Sequence, residues 1–260
     1  MLTPLVLAIV ARSYNNGVSQ KPALGWNTWC TMGMCGQAGV SPGKMSLHDV
    51  CNETEIKSVA EAMVSSGLYA MGYDRINLDD CWVGEDRGAD GSLAWDPLRF
   101  PNGMKPVIDW LHARGLKFGL YSSMGNETCN NNGRTWPGNA TGTWPRHGSF
   151  GYYKEDAQTF ADWGVSYLKY DNCFAADCKL PNCGNDASST IARYTAMSNA
   201  LNRTGKPILF SMCEWGDADP GMWGPAVSNS WRTTADISDV WVYMCELADL
   251  TQQWFDRAGP

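Results

Sequence analysis

The amino-acid sequence predicts an α/β protein folded as a (β/α)8, or TIM, barrel, with about six βα units present in its 260 residues. Three observations carry that prediction. One unit recurs along the chain: an amphipathic helix, a glycine, then a short apolar strand ending in polar residues. Those polar strand ends form a series. The glycine-rich turn that a dinucleotide-binding sheet carries after its first strand is absent, so nothing favours a doubly wound sheet. Alternating strands and helices imply parallel strands with right-handed crossovers.

Taken in order, "ALGWNTW" supplies the first strand. From Glu53, the residues Ile56, Val59, Ala60, Met63, Val64 and Leu68 fall on one helical face, and Gly72 precedes the strand "YDRINLDDCW". Val107, Ile108 and Leu111 mark the next helix, with Gly115 before "LKFGLYSS". Ala157, Phe160 and Ala161 mark a third, with Gly164 before "VSYLKYDN". Ile191, Tyr194, Met197 and Leu201 mark a fourth, with Gly205 before "KPILFSMCEW". Glycine after a helix supplies the left-handed residue that stops it. The segment "SNSWRTTADI" is the sixth strand.

The strand ends carry Asp79 and Asp80, Tyr121, Asp171, Glu214, then Arg232 and Asp236. In a barrel those ends form the catalytic face. One polar strand end is commonplace; five in series are hard to explain as turns. In "GVSYLKYDNC", Tyr167, Lys169 and Asp171 share a face, because side chains of a strand alternate.

A formal charge of -7 argues against nucleic acid as a partner and fits a neutral substrate. Thirteen tryptophans suit stacking on sugars, although core packing explains any one of them. The spacings Cys30–Cys35, Cys173–Cys178 and Cys178–Cys183 have no histidine nearby, and His48, His112 and His147 are scattered, so no metal site is expected. No cofactor motif is present either. Ten cysteines and four sequons, at Asn52, Asn126, Asn139 and Asn202, point to an oxidising lumen. Residues 1–13 contain the run "LTPLVLAIVA", which has the length of a signal-peptide core but lacks a basic flank. No segment is long enough to span a membrane.

Carboxylates dominate the predicted face, with one lysine and one arginine. Glycoside hydrolysis needs two carboxyl groups flanking the scissile bond. A nearby ammonium keeps a nucleophilic carboxylate ionised, which Lys169 would do for Asp171. A structural ion pair is the alternative reading of the same spacing.

The motifs "LGWNTW", "NLDDCW", "GLKFGLYSSMGNETC", "SYLKYDNC", "CEWGD" and "WRTTADI" resemble the α-galactosidases (melibiases) of glycoside hydrolase family 27, of plant and animal type. They run in order from Leu24 to Pro260. The resemblance implies a retaining enzyme that removes terminal α-linked galactose, with Asp171 as nucleophile and Asp236 as acid and base. It implies that Asp79 and Asp80 bind the 4- and 6-hydroxyls, and that Trp29 and Tyr121 line the sugar. Lys169 would contact hydroxyls beside the nucleophile, Arg232 would meet the far side of the ring, and Glu214 would reach Arg232 and the 2-hydroxyl. Cys129 and Cys173 would form a disulfide, Cys81 would pair with Cys35 or a neighbouring cysteine of the first loop, and Asn126 and Asn202 would be glycosylated. The resemblance leaves a homodimer open and implies a secreted or lysosomal/vacuolar soluble protein. The alternatives are an α-N-acetylgalactosaminidase of the same family and a catalytically impaired sugar-binding fragment.

Departures from the pattern are specific. The stretch between Asn130 and His147 is longer than in plant and animal relatives; it reads as a tolerated surface insertion, with a loop that reshapes the aglycone side as the alternative. Cys178 and Cys183 are additions, expected to pair with each other, and Cys213 and Cys245 lack their usual context. Residues 22–260 are read as the catalytic barrel, with strands seven and eight and the β-sandwich that follows in relatives lying beyond Pro260.

Overall fold

The computed structural model describes residues 14–29, 51–129, 146–174, 187–238 and 240–257. Six strands form one parallel sheet in the order of the sequence: β1 Gly25–Asn27, β2 Arg75–Asn77, β3 Lys117–Ser123, β4 Tyr167–Asp171, β5 Leu209–Cys213 and β6 Ser230–Trp231. All six predicted strands are present. Each pairs only with its neighbours in sequence, as in consecutive units of a (β/α)8 barrel.

Helices fill the connections: α1 Glu53–Ser65, α2 Met104–His112, α3 Tyr153–Trp163, α4 Ala187–Arg203, α5 Pro220–Val227 and α6 Trp241–Thr251. Asn52 starts α1 by accepting a 3.0 Å hydrogen bond from the Glu55 amide, while Glu53 and Glu55 place negative charge on its first turn. The predicted glycines all have positive φ, 99° at Gly72, 77° at Gly115, 87° at Gly164 and 70° at Gly205, although Gly72 closes the 3-10 turn Tyr69–Met71 rather than α1 itself.

Pairing register puts the side chains into rows. Leu120, Leu168 and Phe210 are partners across β3, β4 and β5, and all three are buried. They belong to the core cluster that also holds Ile56, Val107, Ile108, Leu111, Phe160, Tyr194 and Met197 from the helices. The predicted α1 face is corrected at its end. Ile56, Ala60 and Met63 are buried, whereas Val64 and Leu68 are exposed, because the helix stops at Ser65 and the chain then turns through Gly67.

The alternate rows face the other way. Tyr121, Lys169 and Ser211 form one row, and Ser123, Asp171 and Cys213 the next. Gly119 lies one layer below, where a Cβ would collide with the Asn77 side chain and the Tyr167 ring. Polar side chains from three strands thus share one end of the sheet. Beside it, Arg87 grips the buried Asp156 through two hydrogen bonds of 2.7 and 3.1 Å, tying the loop after β2 to α3.

Candidate active site

Sequence spacing alone brings Asp79 and Asp80 together, and the fold buries both. The Asp79 amide donates to the Thr28 hydroxyl at 2.8 Å, and the Asp80 amide donates to the Asp79 carboxylate at 2.9 Å. Lys169 bridges Asp79 at 2.9 Å across 90 residues of sequence. Its ammonium also lies 5.2 Å from the ring centres of both Trp29 and Tyr121. Burial disfavours that charge, but the carboxylates of Asp79 and Asp171 outweigh it and hold Lys169 protonated.

Lys169 favours the charge of Asp171, as expected, but it does so without an ion pair to it. Its ion pair is with Asp79, and the Asp171 carboxyl lies above the usual carboxylate range. Burial raises it more than the Lys169 charge, the Asn172 amide at 2.9 Å and the Tyr121 hydroxyl lower it. Alternation placed Lys169 on the correct face, but reach toward the end of β2 decides its partner. Tyr121 is buried, accepts from the Cys129 amide at 3.3 Å and has its phenol pKa pushed well up by burial and the surrounding carboxylates.

Arg232 and Asp236 follow β6 and bond to each other at 2.8 Å. Arg232 also donates to the Cys213 sulfur at 3.4 Å. The expected reach of Glu214 to Arg232 is therefore corrected: the guanidinium is turned to Asp236 and Cys213. Glu214 is fully buried, and neither carboxylate oxygen completes a hydrogen bond. The amides of Glu214, Gly216 and Arg232 lie close enough to favour its charge, yet burial prevails and pushes it up to about 8. A cavity of about 610 Å³ is lined by Trp29, Lys169, Arg232, Asp236, Ile237 and Leu247. Asp171 lies one row beyond Lys169, toward the carboxyl end of the same strand.

Cys129 and Cys173 are disulfide-bonded, two residues beyond Asp171. Cys81 is bonded to Cys51, so Cys35 is not its partner. Asn52 caps α1 and brings Cys51 to the start of the helix beside that loop. Cys35, Cys178, Cys183 and Asn139 lie outside the described residues. Cys213 and Cys245 are free thiols, and burial keeps the Cys213 thiol protonated. Asn126 and Asn202 are exposed. The Cys129 and Cys173 sulfurs and the Asp171 carboxylate lie within 4.8 Å of one another, but a disulfide offers no thiolate to a metal.

Sequence reasoning missed Thr28, which fixes the Asp79 amide, and Arg99 and Arg146, whose guanidiniums are buried around Asp80 and Cys81. A lone arginine in a polar loop carries no periodic signal that distinguishes burial from exposure.

Comparison with known proteins agrees with this geometry. The profile of the family described as alpha galactosidase A matches residues 21–260. The chain is 42% identical to alpha-galactosidase 2 of Arabidopsis thaliana over 248 residues, 95% of this chain and 52% of that protein. Alpha-galactosidase I of Mortierella vinacea superposes with a TM-score of 0.71 at 38% identity, over 87% of this chain and 48% of that one. A putative alpha-galactosidase of Bacteroides fragilis gives 0.75 at 33% identity, over 94% and 46%. The chain spans about half the length of the curated relatives it matches.

Proposed function

The chain belongs to the alpha galactosidase A family, and from that premise we propose that it provides the sugar-binding and catalytic residues of a retaining glycosidase acting on terminal α-linked galactose. One observation carries the reading: two carboxyl groups of opposite character are present, buried Asp171 at the end of β4 and exposed Asp236, beyond β6, which lines one cavity with the Lys169 of β4.

In this reading the ionised Asp171 attacks the anomeric carbon and forms a galactosyl ester. Asp236 gives its proton to the departing oxygen. Asp236 then takes a proton from water as the water attacks the ester, which releases galactose with its configuration retained and restores both carboxyl groups. Lys169, the Asn172 amide and the Tyr121 hydroxyl favour the ionised Asp171 that the first step needs. The exposure of Asp236 suits a group that exchanges its proton with solvent in every cycle.

Asp79 and Asp80 accept from the 4- and 6-hydroxyls, and the axial 4-hydroxyl separates galactose from glucose. Trp29 and Tyr121 cover the apolar face of the sugar, and Arg232 closes the far side. Glu214, neutral below about pH 8, can donate a hydrogen bond toward the 2-position. Two disulfides support an oxidising compartment, secreted or lysosomal/vacuolar.

The test is Asp171→Ala in the full-length protein with p-nitrophenyl α-galactoside. Turnover is expected to fall about a million-fold, the scale on which loss of a serine nucleophile acts. Azide is expected to restore cleavage and yield β-galactosyl azide, because it enters from the face that Asp171 vacates. Wild-type turnover by the variant would sink the assignment, and faster cleavage of the N-acetylgalactosaminide by the wild type would move the substrate to that sugar.

A further inference from the structure

Two adjacent buried carboxylates are costly unless cations offset them. Asp79 has Lys169 at 2.9 Å. On the other side of the pair stand two buried guanidiniums, with Arg146 2% exposed and Arg99 3% exposed. Arg146 donates to the backbone carbonyl of Asp80 at 3.4 Å, and Arg99 donates to the next carbonyl, that of Cys81. Consecutive peptides of the "LDDCW" loop are thus each held by an arginine from outside it. The first of these peptides leaves the Cα of Asp80, so its orientation bears on where the Asp80 side chain points.

Arg99 already has a carboxylate of its own, Asp96, at 3.2 Å. Burial, and then the charge of Arg146, lower Arg99 to about 10, so the two guanidiniums lie near each other. Burial likewise lowers Arg146, while Asp80 and Asp96 favour its charge. Arg146 is fixed in turn by its own carbonyl, which accepts from the Thr128 amide at 2.8 Å, and by the bridge between Glu127 and His147. It stands at the end of the long stretch that the sequence suggests is a tolerated insertion.

We propose that Arg146 is a positioning residue for the sugar-reading carboxylates: it holds the Asp80 peptide and, with Lys169 on Asp79, gives the carboxylate pair its second cation. This rests on the reading of Asp79 and Asp80 as the groups that bind galactose hydroxyls. Arg146 touches no substrate and acts through Asp80. The end of the insertion is therefore part of the sugar site.

The experiment compares wild type, Arg146→Met and Arg146→Lys in the full-length protein, with p-nitrophenyl α-galactoside as substrate and free galactose as competing ligand. R146M is expected to raise KM and the galactose inhibition constant about 10- to 100-fold, the range of a hydrogen bond to a charged group, with a much smaller change in kcat. Its acid limb of kcat/KM is expected to move to higher pH, because Asp79, Asp80, Asp96, Tyr121 and Asp171 then share only Lys169 and Arg99. R146K is expected to restore the acid limb, which needs the charge, while keeping part of the KM defect, which needs the fork. If R146M does not fold, R146K alone decides through its KM. A lower melting temperature with unmoved KM and pH profile would make Arg146 structural only and overturn the inference. Absence of turnover by the wild type would overturn the functional reading and the inference with it.

Discussion

At the scale of single residues, the site holds carboxyl groups with different tasks, and burial separates them. Glu214 has no exposed surface and is pushed up to about 8, whereas Asp236 stays in contact with water. The unfolded chain gives up the Glu214 proton near the ordinary glutamate range, near pH 4.5, but the folded chain keeps it until about pH 8. Stability from this group is therefore complete below the lower value and is lost as pH rises through the upper one. Glu214→Gln removes that dependence. Its melting temperature is expected to fall less than the wild type's between pH 5 and 8, where the wild type loses up to about 1.4 kcal/mol per pH unit. Parallel melting curves for the two proteins across that interval would refute the assignment. Lys169 shows what a residue's position in sequence can and cannot tell. Strand alternation fixed the face it points from, but not the carboxylate within its reach, because Asp79 arrives from a different strand.

At the scale of elements, α1 depends on one side chain that also lies in a sequon. Asn52→Ala is expected to cost about 1 kcal/mol through loss of the N-cap, whereas Asn52→Asp, which caps equally well, is expected to leave stability unchanged. Urea unfolding of the two variants checks this, and equal losses would mean that the effect comes from something other than the cap. Helix starts, helix stops and strands were legible because each rests on local rules: periodicity, a cap, a glycine with positive φ. The ends of apolar faces were less legible, since Val64 continues the pattern of Ile56 and Ala60 but has nothing to pack against. Arg146 was not legible at all, and for Cys81 the resemblance pointed to the first loop, where Cys51 lies, but not to which of its cysteines. Both are set by where long loops return, which no local pattern encodes.

At the scale of the whole molecule, the polar end of the sheet is tied from outside. Cys51–Cys81 joins the start of α1 to the loop bearing Asp79 and Asp80, and Cys129–Cys173 joins the segment after β3 to the end of β4. They close loops of 30 and 44 residues. Each is expected to contribute about 2–4 kcal/mol. A dithiol reductant is expected to lower the melting temperature and to abolish turnover while the helical circular dichroism remains. Full activity in the reduced protein would show that the crosslinks do not hold the site.

The sheet is uneven: β3 has seven residues and β4 and β5 have five each, while β6 has two. Amide protons in the middle strands exchange only when the whole fold opens, whereas a two-residue ladder opens by fraying. Asp171 closes a five-residue strand, whereas Arg232 and Asp236 follow the two-residue one. On the proposed roles of Asp171 and Asp236, warming is expected to unsettle the acid–base side of the pocket first, so that activity falls before the melt; loss of both at one temperature would refute this.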